Sequence, residues 1–252
     1  MTAEGSRGPP PAGQLGARVA CGLPRRVGDV YRTARRYPVD MSPFIAMPDQ
    51  PDQETWRDVA VLTGGGRVAT LMGPITPAPP GWEVVLEMSG LQMLDSSVVP
   101  AEDPEAVVLG QSDVPEMLDL VARTKPGPFL PRTIQFGGYL GIRRGNSLVA
   151  MAGERLRPPG WTEISAVCAD PKFRGQGFAR RLVLAVASGI HRRAETPFLH
   201  TTASNTNAIR LYESVGFVVR RTMKIVGVRI PAGRPDLARA WWPDTDLPGD
   251  RI

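Results

Sequence analysis

The sequence predicts an α+β (α/β) protein with a mixed central sheet flanked by helices. Three observations lead there. Apolar runs of strand length recur between segments with helical spacing. One run stops at Asp170-Pro171 in a glycine-rich turn that opens a helix, and a β-branched stretch over 217–230 follows the last helix. The 252 residues, 42% of them hydrophobic, suffice for one large or two small domains.

In chain order, residues 1–28 hold six Gly, four Pro and four Arg without periodicity. That composition cannot offset ordering entropy, so a disordered arm is expected. A small lobe over 29–104 is expected to carry a helix at 56–62, a strand at 67–72 and one or two strands at 82–94. Pro74, Pro77, Pro79 and Pro80 stiffen its connector. A second unit, 105–230, opens with a strand at 106–109. Ser112 or Asp113 then caps a helix, with Pro115 in its first turn and Glu116 placed to complete a capping box from Asp113. Met117, Leu118 and Val121 form its apolar face, and Lys125-Pro126-Gly127 ends it.

Strands at 139–142 and 147–152 flank a tight Arg144-Gly145-Asn146 turn, and a loop at 155–160 leads to a strand at 162–169. The helix from about 177 to 193 carries Phe178, Leu182, Val186 and Ile190 four apart, so one face packs on the sheet. A strand at 198–202 follows. Ser204-Asn205 starts a short helix whose Ala208, Leu211, Tyr212 and Val215 follow the i, i+3, i+4, i+7 rule, with Gly216 at its end. The stretch 217–230 reads as a closing strand pair. A polar tail over 231–252 contains Trp241-Trp242.

Composition excludes several classes. No apolar run reaches the ~20 residues of a membrane span. Seven Arg against Glu4, Asp29 and Asp40 put about four of the five net positive charges within 1–40, which argues against a dedicated nucleic-acid surface. Cys21 and Cys168 with two histidines make neither an expected disulfide nor a zinc site, so no metal is expected. Arg18 interrupts the only N-terminal apolar stretch, so no signal peptide is expected and a cytoplasmic location fits.

The turn carries the chemistry. Gly175 and Gly177 allow sharp backbone turns and close ligand approach, and unpaired amides at a helix start form an anion site bracketed by Arg174 and Arg180. Arg174-Gly175-Gln176-Gly177-Phe178-Ala179 resembles the Arg/Gln-x-x-Gly-x-Gly/Ala turn of the GNAT superfamily of acyl-CoA N-acyltransferases. The run Asn205-Thr206-Asn207-Ala208-Ile209-Arg210-Leu211-Tyr212-Glu213-Ser214-Val215-Gly216-Phe217 resembles the second hallmark of that family, at the expected distance. The resemblance covers about 105–230. Within the superfamily it looks most like the glycine N-acyltransferase-like group, whose degenerate half lobe would correspond to 29–104.

The resemblance implies transfer of an acetyl group from acetyl-CoA directly to an amine, in a GNAT-type fold and without a metal. It places Val167, Cys168 and Ala169 on the strand that pairs with the pantetheine arm, with an amide near Val167 on the thioester carbonyl. Residues Gly175, Gln176, Gly177, Phe178, Ala179 and Arg180, with Arg174, would cradle the pyrophosphate. Asn205 would bond the cofactor arm. Tyr212 corresponds to the acid that protonates the departing thiolate, although it also fits the buried face of its helix. The base stays open between His200, on the strand before Asn205, and Glu163 on the preceding strand. Glu154 and Ser165 are weaker candidates, and the amine could also arrive neutral. A homodimer is compatible with the sequence. The competing class is a non-catalytic module that binds acyl-CoA as a sensor.

Overall fold

The computed structural model describes residues 29–73 and 77–232. The arm expected over 1–28, with Cys21, and Trp241-Trp242 of the expected tail lie outside the described residues. The first part of the chain contains β1 (Asp29–Tyr31), β2 (Ala34–Arg36), β3 (Phe44–Ala46), α1 (Gln53–Thr63), β4 (Val68–Gly73) and β5 (Glu83–Asp95). The rest contains β6 (Val107–Leu109), α2 (Val114–Thr124), β7 (Tyr139–Arg144), β8 (Ser147–Glu154) and β9 (Trp161–Ala169). It continues through α3 (Phe178–Arg192), β10 (Thr196–Thr202), α4 (Thr206–Ser214) and β11 (Phe217–Arg229).

Among the described residues the strands form one mixed sheet, ordered β1-β2-β3-β4-β11-β5-β10-β9-β8-β7-β6. Parallel neighbours need a crossover element, and there are two such pairs. Helix α1 carries the chain from β3 to its parallel neighbour β4, and α3 carries it from β9 to β10. Each parallel pair is followed by a long antiparallel strand, and these two strands are exchanged. β5 pairs with β10 of the second unit, while β11 pairs with β4 of the first. β5 and β11 also pair with each other, from Phe217↔Asp95 to Arg229↔Glu83. The sheet order is therefore close to palindromic about the β5–β11 ribbon. The expected boundary near Pro104 falls on a connection between strands of this one sheet.

One face of the sheet packs against α3, whose Phe178, Leu182, Val183, Val186 and Ile190 are buried with Ile164, Leu199 and Phe217. The opposite face packs α2 through Val114, Met117 and Leu120 against Tyr139, Met151 and Cys168. Leu120 is a buried member of that helix face, whereas Leu118 and Val121 sit at its margin. The first part has its own core, in which Trp56 and Val59 of α1 meet Ala69, Leu71, Val226 and Val228.

Several local expectations change. The stretch 217–230 forms one 13-residue strand rather than a pair, because β4 and β5 supply partners on both its edges. The stretch at 82–94, expected as one or two strands, is a single strand. The capping box does not form. Asp113 instead accepts the Gly110 N–H at 2.8 Å and pairs with Arg143, and Glu116 accepts the Leu148 N–H at 2.5 Å and also pairs with Arg143. The sheet edge competes for these carboxylates and wins. Helix α2 ends on Lys125 in the left-handed region (φ 49°), without a glycine. At the end of α4, Gly216 is required twice over. Its φ is 106°, and an added Cβ would lie 2.6 Å from the Ser97 carbonyl carbon. Its carbonyl accepts the Ser96 and Ser97 amides, which ties α4 to the end of β5.

Candidate active site

The site begins where two strands part. β9 and β10 pair in parallel from Thr196↔Trp161 to Leu199↔Ile164, and their register stops there although β9 runs to Ala169 and β10 to Thr202. Just past that point Ala166 has φ 53°, and three residues of β9 span two of β8 between Met151↔Cys168 and Gly153↔Ser165. Such a bulge leaves a residue out of the ladder and bends its strand. Val167, Cys168 and Ala169 follow directly, so the backbone expected to meet a pantetheine arm borders this parting. Asp170 closes β9: its carboxylate accepts the Lys172 amide at 2.9 Å and pairs with Arg123 of α2.

The glycine-rich turn lies at the end of β9. Gly175 and Gly177 both adopt positive φ, 80° and 75°, with open space where a Cβ would stand. Gly177 is the N-cap of α3 and provides no side-chain cap, so the first-turn amides of Phe178, Ala179 and Arg180 lack intrahelical partners. Phe178 is buried beneath the Arg144 and Arg181 guanidiniums, which anchors the start of the helix. Arg181 is engaged by Asp103 and Glu105. Arg174, Gln176 and Arg180 are exposed beside the turn, and among the described residues neither Arg174 nor Arg180 has an ion-pair partner. A cationic, uncapped helix start suits an anion.

Asn205 caps α4, its Oδ1 accepting the Ala208 amide at 3.2 Å, which leaves the side-chain amide N–H groups for other partners. Tyr212, 7% exposed, packs edge-on to Phe217 in the α3-side core. Burial, followed by the nearby Cys168, pushes its phenol up to about 12. This lies above the ordinary phenol value, so the hydroxyl keeps its proton at all physiological pH. Burial also pushes the Cys168 thiol up to about 11 despite a hydrogen bond with Thr124, so it stays a thiol.

The base candidates lie in a single buried chain of hydrogen bonds. Glu163, 0% exposed, receives Arg155 Nε at 2.9 Å and Nη2 at 2.6 Å. His200 Nδ1 stands 2.7 Å from Glu163 Oε1, and its Nε2 stands 3.0 Å from Gln92 Nε2. Arg220 Nη1 donates to Gln92 Oε1 at 2.7 Å. Burial opposes the charge on Glu163, but Arg155 and His200 outweigh it and hold the carboxyl down to about 2. Glu154 is committed to Arg157 and Arg193. His191 meets Asp95 Oδ2 at 2.7 Å, because the end of α3 lies over the end of β5. Among the described residues no three His, Cys, Asp or Glu side chains are grouped to hold a metal ion.

The family model of FR47-like proteins matches residues 139–226. An N-alpha-acetyltransferase, RimI of Mycobacterium tuberculosis, is 37% identical over 82 residues, covering 31% of this chain and 51% of its own length. An uncharacterised Mycobacterium leprae protein is 30% identical over 205 residues, covering 69% and 55%. The chain thus matches about half the length of these curated relatives. The crystal structure of a GNAT-family protein from Novosphingobium aromaticivorans is 38% identical, covers 85% of this chain and 96% of its own, and superposes with a TM-score of 0.78. The chain belongs to the GNAT superfamily of acyl-CoA N-acyltransferases. A GCN5-related N-acetyltransferase from Kribbella flavida, 18% identical with a TM-score of 0.53, shares the fold.

In this GNAT chain Tyr212 shares the core on the α3 side of the sheet with Phe178 at the start of α3 and with Val167 and Ala169 of β9, and Asn205 caps the helix that carries Tyr212. Three members of the polar chain escaped the sequence reading: Arg155, Gln92 and Arg220. The signals were faint. Gln92 is the one polar residue in Leu91-Gln92-Met93-Leu94, and Arg220 sits at a register shift between Val219 and Arg221 that only the β5 pairing reveals. Arg155 was read as part of a loop.

Proposed function

We propose that the protein moves an acetyl group from acetyl-CoA directly to a primary amine of a small molecule or peptide, with both substrates bound together. The parting of β9 from β10 beyond Ile164 and Leu199, with the uncapped α3 start at the end of β9, carries this reading. The amides and arginines of the turn neutralise the pyrophosphate. An amide freed by the β9 bulge stabilises negative charge developing on the thioester oxygen. His200 accepts the proton of the ammonium. Tyr212, still a phenol at neutral pH, supplies the proton that converts the leaving thiolate to thiol. From the ammonium, two N–H bonds and the thioester C–S bond break while an amide C–N bond and a thiol S–H bond form; the first proton leaves His200 for solvent, and the second returns the Tyr212 phenolate to phenol. Glu163 is sealed by Arg155, so it holds His200 in place and does not itself meet the amine. Direct transfer fits Cys168, whose buried thiol is a poor nucleophile.

The first part of the chain contributes scaffolding. At the matching position, the start of α1, the Asp52 carboxylate accepts the Thr55 amide at 2.8 Å, and Glu54 lies in the first turn. An anion would be repelled there, which supports reading 29–104 as a degenerate half lobe of the glycine N-acyltransferase-like kind.

The test is release of free thiol from acetyl-CoA with a panel of amines, amino acids and peptides. Peptide α-amines are included because the M. tuberculosis relative is named an N-alpha-acetyltransferase. Turnover with at least one acceptor is expected, whereas tight acetyl-CoA binding without thiol release from any of them would favour a sensor module. Gly177→Ala, which forces a side chain into the left-handed region at a stability cost of ~1–2 kcal/mol, is expected to raise the acetyl-CoA KM about tenfold with little change in kcat. An unchanged KM would remove the turn from the donor site.

A further inference from the structure

The direction of every hydrogen bond around His200 is dictated from the two ends of its chain. Arginine can only donate, so the Gln92 atom facing Arg220 Nη1 at 2.7 Å is the amide oxygen. The amide nitrogen, which can only donate, therefore faces His200 Nε2 at 3.0 Å. Nε2 must then be a bare lone pair. The imidazole proton falls on Nδ1, which donates to Glu163 Oε1 at 2.7 Å, while Arg155 secures the carboxylate from behind. Gln92 is only 1% exposed and stands directly across β5–β10 from His200, so its amide has few alternative partners.

We propose that Gln92 and Arg220 are positioning residues that fix the proton of His200 on Nδ1 and keep its Nε2 lone pair available for the acceptor ammonium. The catalytic consequence rests on the reading of His200 as the base. When Nε2 takes a proton it meets the Gln92 N–H, donor against donor, and Arg220 restrains the amide from turning over. That contact weakens the hold of Nε2 on a second proton, while the Glu163 carboxylate on the other side of the ring keeps Nδ1 protonated. The acceptor amine has only to displace one neutral N–H from Nε2, which is a modest cost.

Other charged groups surround this chain. Arg221 adjoins Arg220 on β11, and the Phe198 ring meets His200 edge-on at 5.6 Å. Tyr37 and Tyr139 face the Arg155–Glu163 pair as phenols that burial keeps un-ionised.

The experiment reads the histidine ring nitrogens directly. The chain has only two histidines, so long-range proton–nitrogen spectra of the labelled full-length protein resolve His200, with His191 as internal reference. In the native protein His200 is expected to show a protonated Nδ1 and a bare Nε2 around neutral pH. Arg220→Met frees the Gln92 amide to turn its oxygen toward Nε2, so the protonation midpoint of His200 and the acid limb of kcat should both rise by about one pH unit, or tenfold in proton affinity. Gln92→Glu should raise them further. Arg220→Lys, still a pure donor, should restore the native values, which a merely structural role would not require. An Nε2–H tautomer in the native protein, or equal midpoints in the native protein and Arg220→Met, overturns the proposal. If His200→Gln keeps full kcat while Arg220→Met still moves the midpoint, the base assignment falls and the positioning of the proton stands.

Discussion

Arg155→Met is expected to destabilise the protein by about 3–5 kcal/mol at neutral pH, because it strands a fully buried carboxylate without its counter-charge. For a chain of this size that corresponds to a thermal midpoint lower by roughly 6–20 °C. The loss has a specific pH dependence. In the native protein the Glu163 carboxyl is held down to about 2 in the fold against an ordinary 4.5, so its contribution is complete above about 4.5 and is lost as pH falls toward 2. In the variant burial acts unopposed by the guanidinium and raises the carboxyl instead. The penalty is then largest at neutral pH and relaxes on acidification, as the buried group takes up a proton. Removing both charges in Arg155→Met/Glu163→Leu should recover part of the loss. Thermal unfolding of the native protein and the two variants across the acid range checks this. A native-like midpoint for Arg155→Met at neutral pH would show that the pair does not bear on stability.

Tyr212→Phe is expected to lower kcat by about a hundredfold, within the range of a positioned general acid, and to leave the acetyl-CoA KM within about twofold. The ring packing against Phe217 is retained and only the hydroxyl is lost, so the fold should be intact. The leaving group provides a sharper readout. An acyl donor with a more acidic thiol needs less help from an acid, so the defect should shrink with such a donor. A kcat equal to that of the native enzyme, or a defect independent of the thiol, would assign Tyr212 to the core alone.

The legible and illegible parts of this protein differ in kind. The glycine-rich turn and the Asn205 to Phe217 run could be read because backbone conformation and helix periodicity demand particular residues at fixed short spacings. The burial of Phe178, Leu182 and Ile190 follows from the same logic. What joins His200 to Glu163, Gln92 and Arg220 is strand register, which brings together residues 92, 163, 200 and 220 from four strands. Neither spacing nor composition encodes that neighbourhood. Competition was equally hidden. Asp113 and Glu116 have the spacing of a capping box, yet the Leu148 amide and Arg143 claim them once the sheet edge is near.

The exchanged closing strands make the molecule a dimer in one polypeptide. A tethered partner stays at high effective concentration whatever happens to its own ligand chemistry. What the second unit needs from the lobe that lends β5 is the strand that carries Gln92 to His200, whatever side chain stands at that lobe's own helix start. For anyone recombining such proteins, the transferable unit is the pair of lobes. A segment cut at residue 105 would reach its new host with β10 and β11 lacking the strand between them and with its imidazole untended.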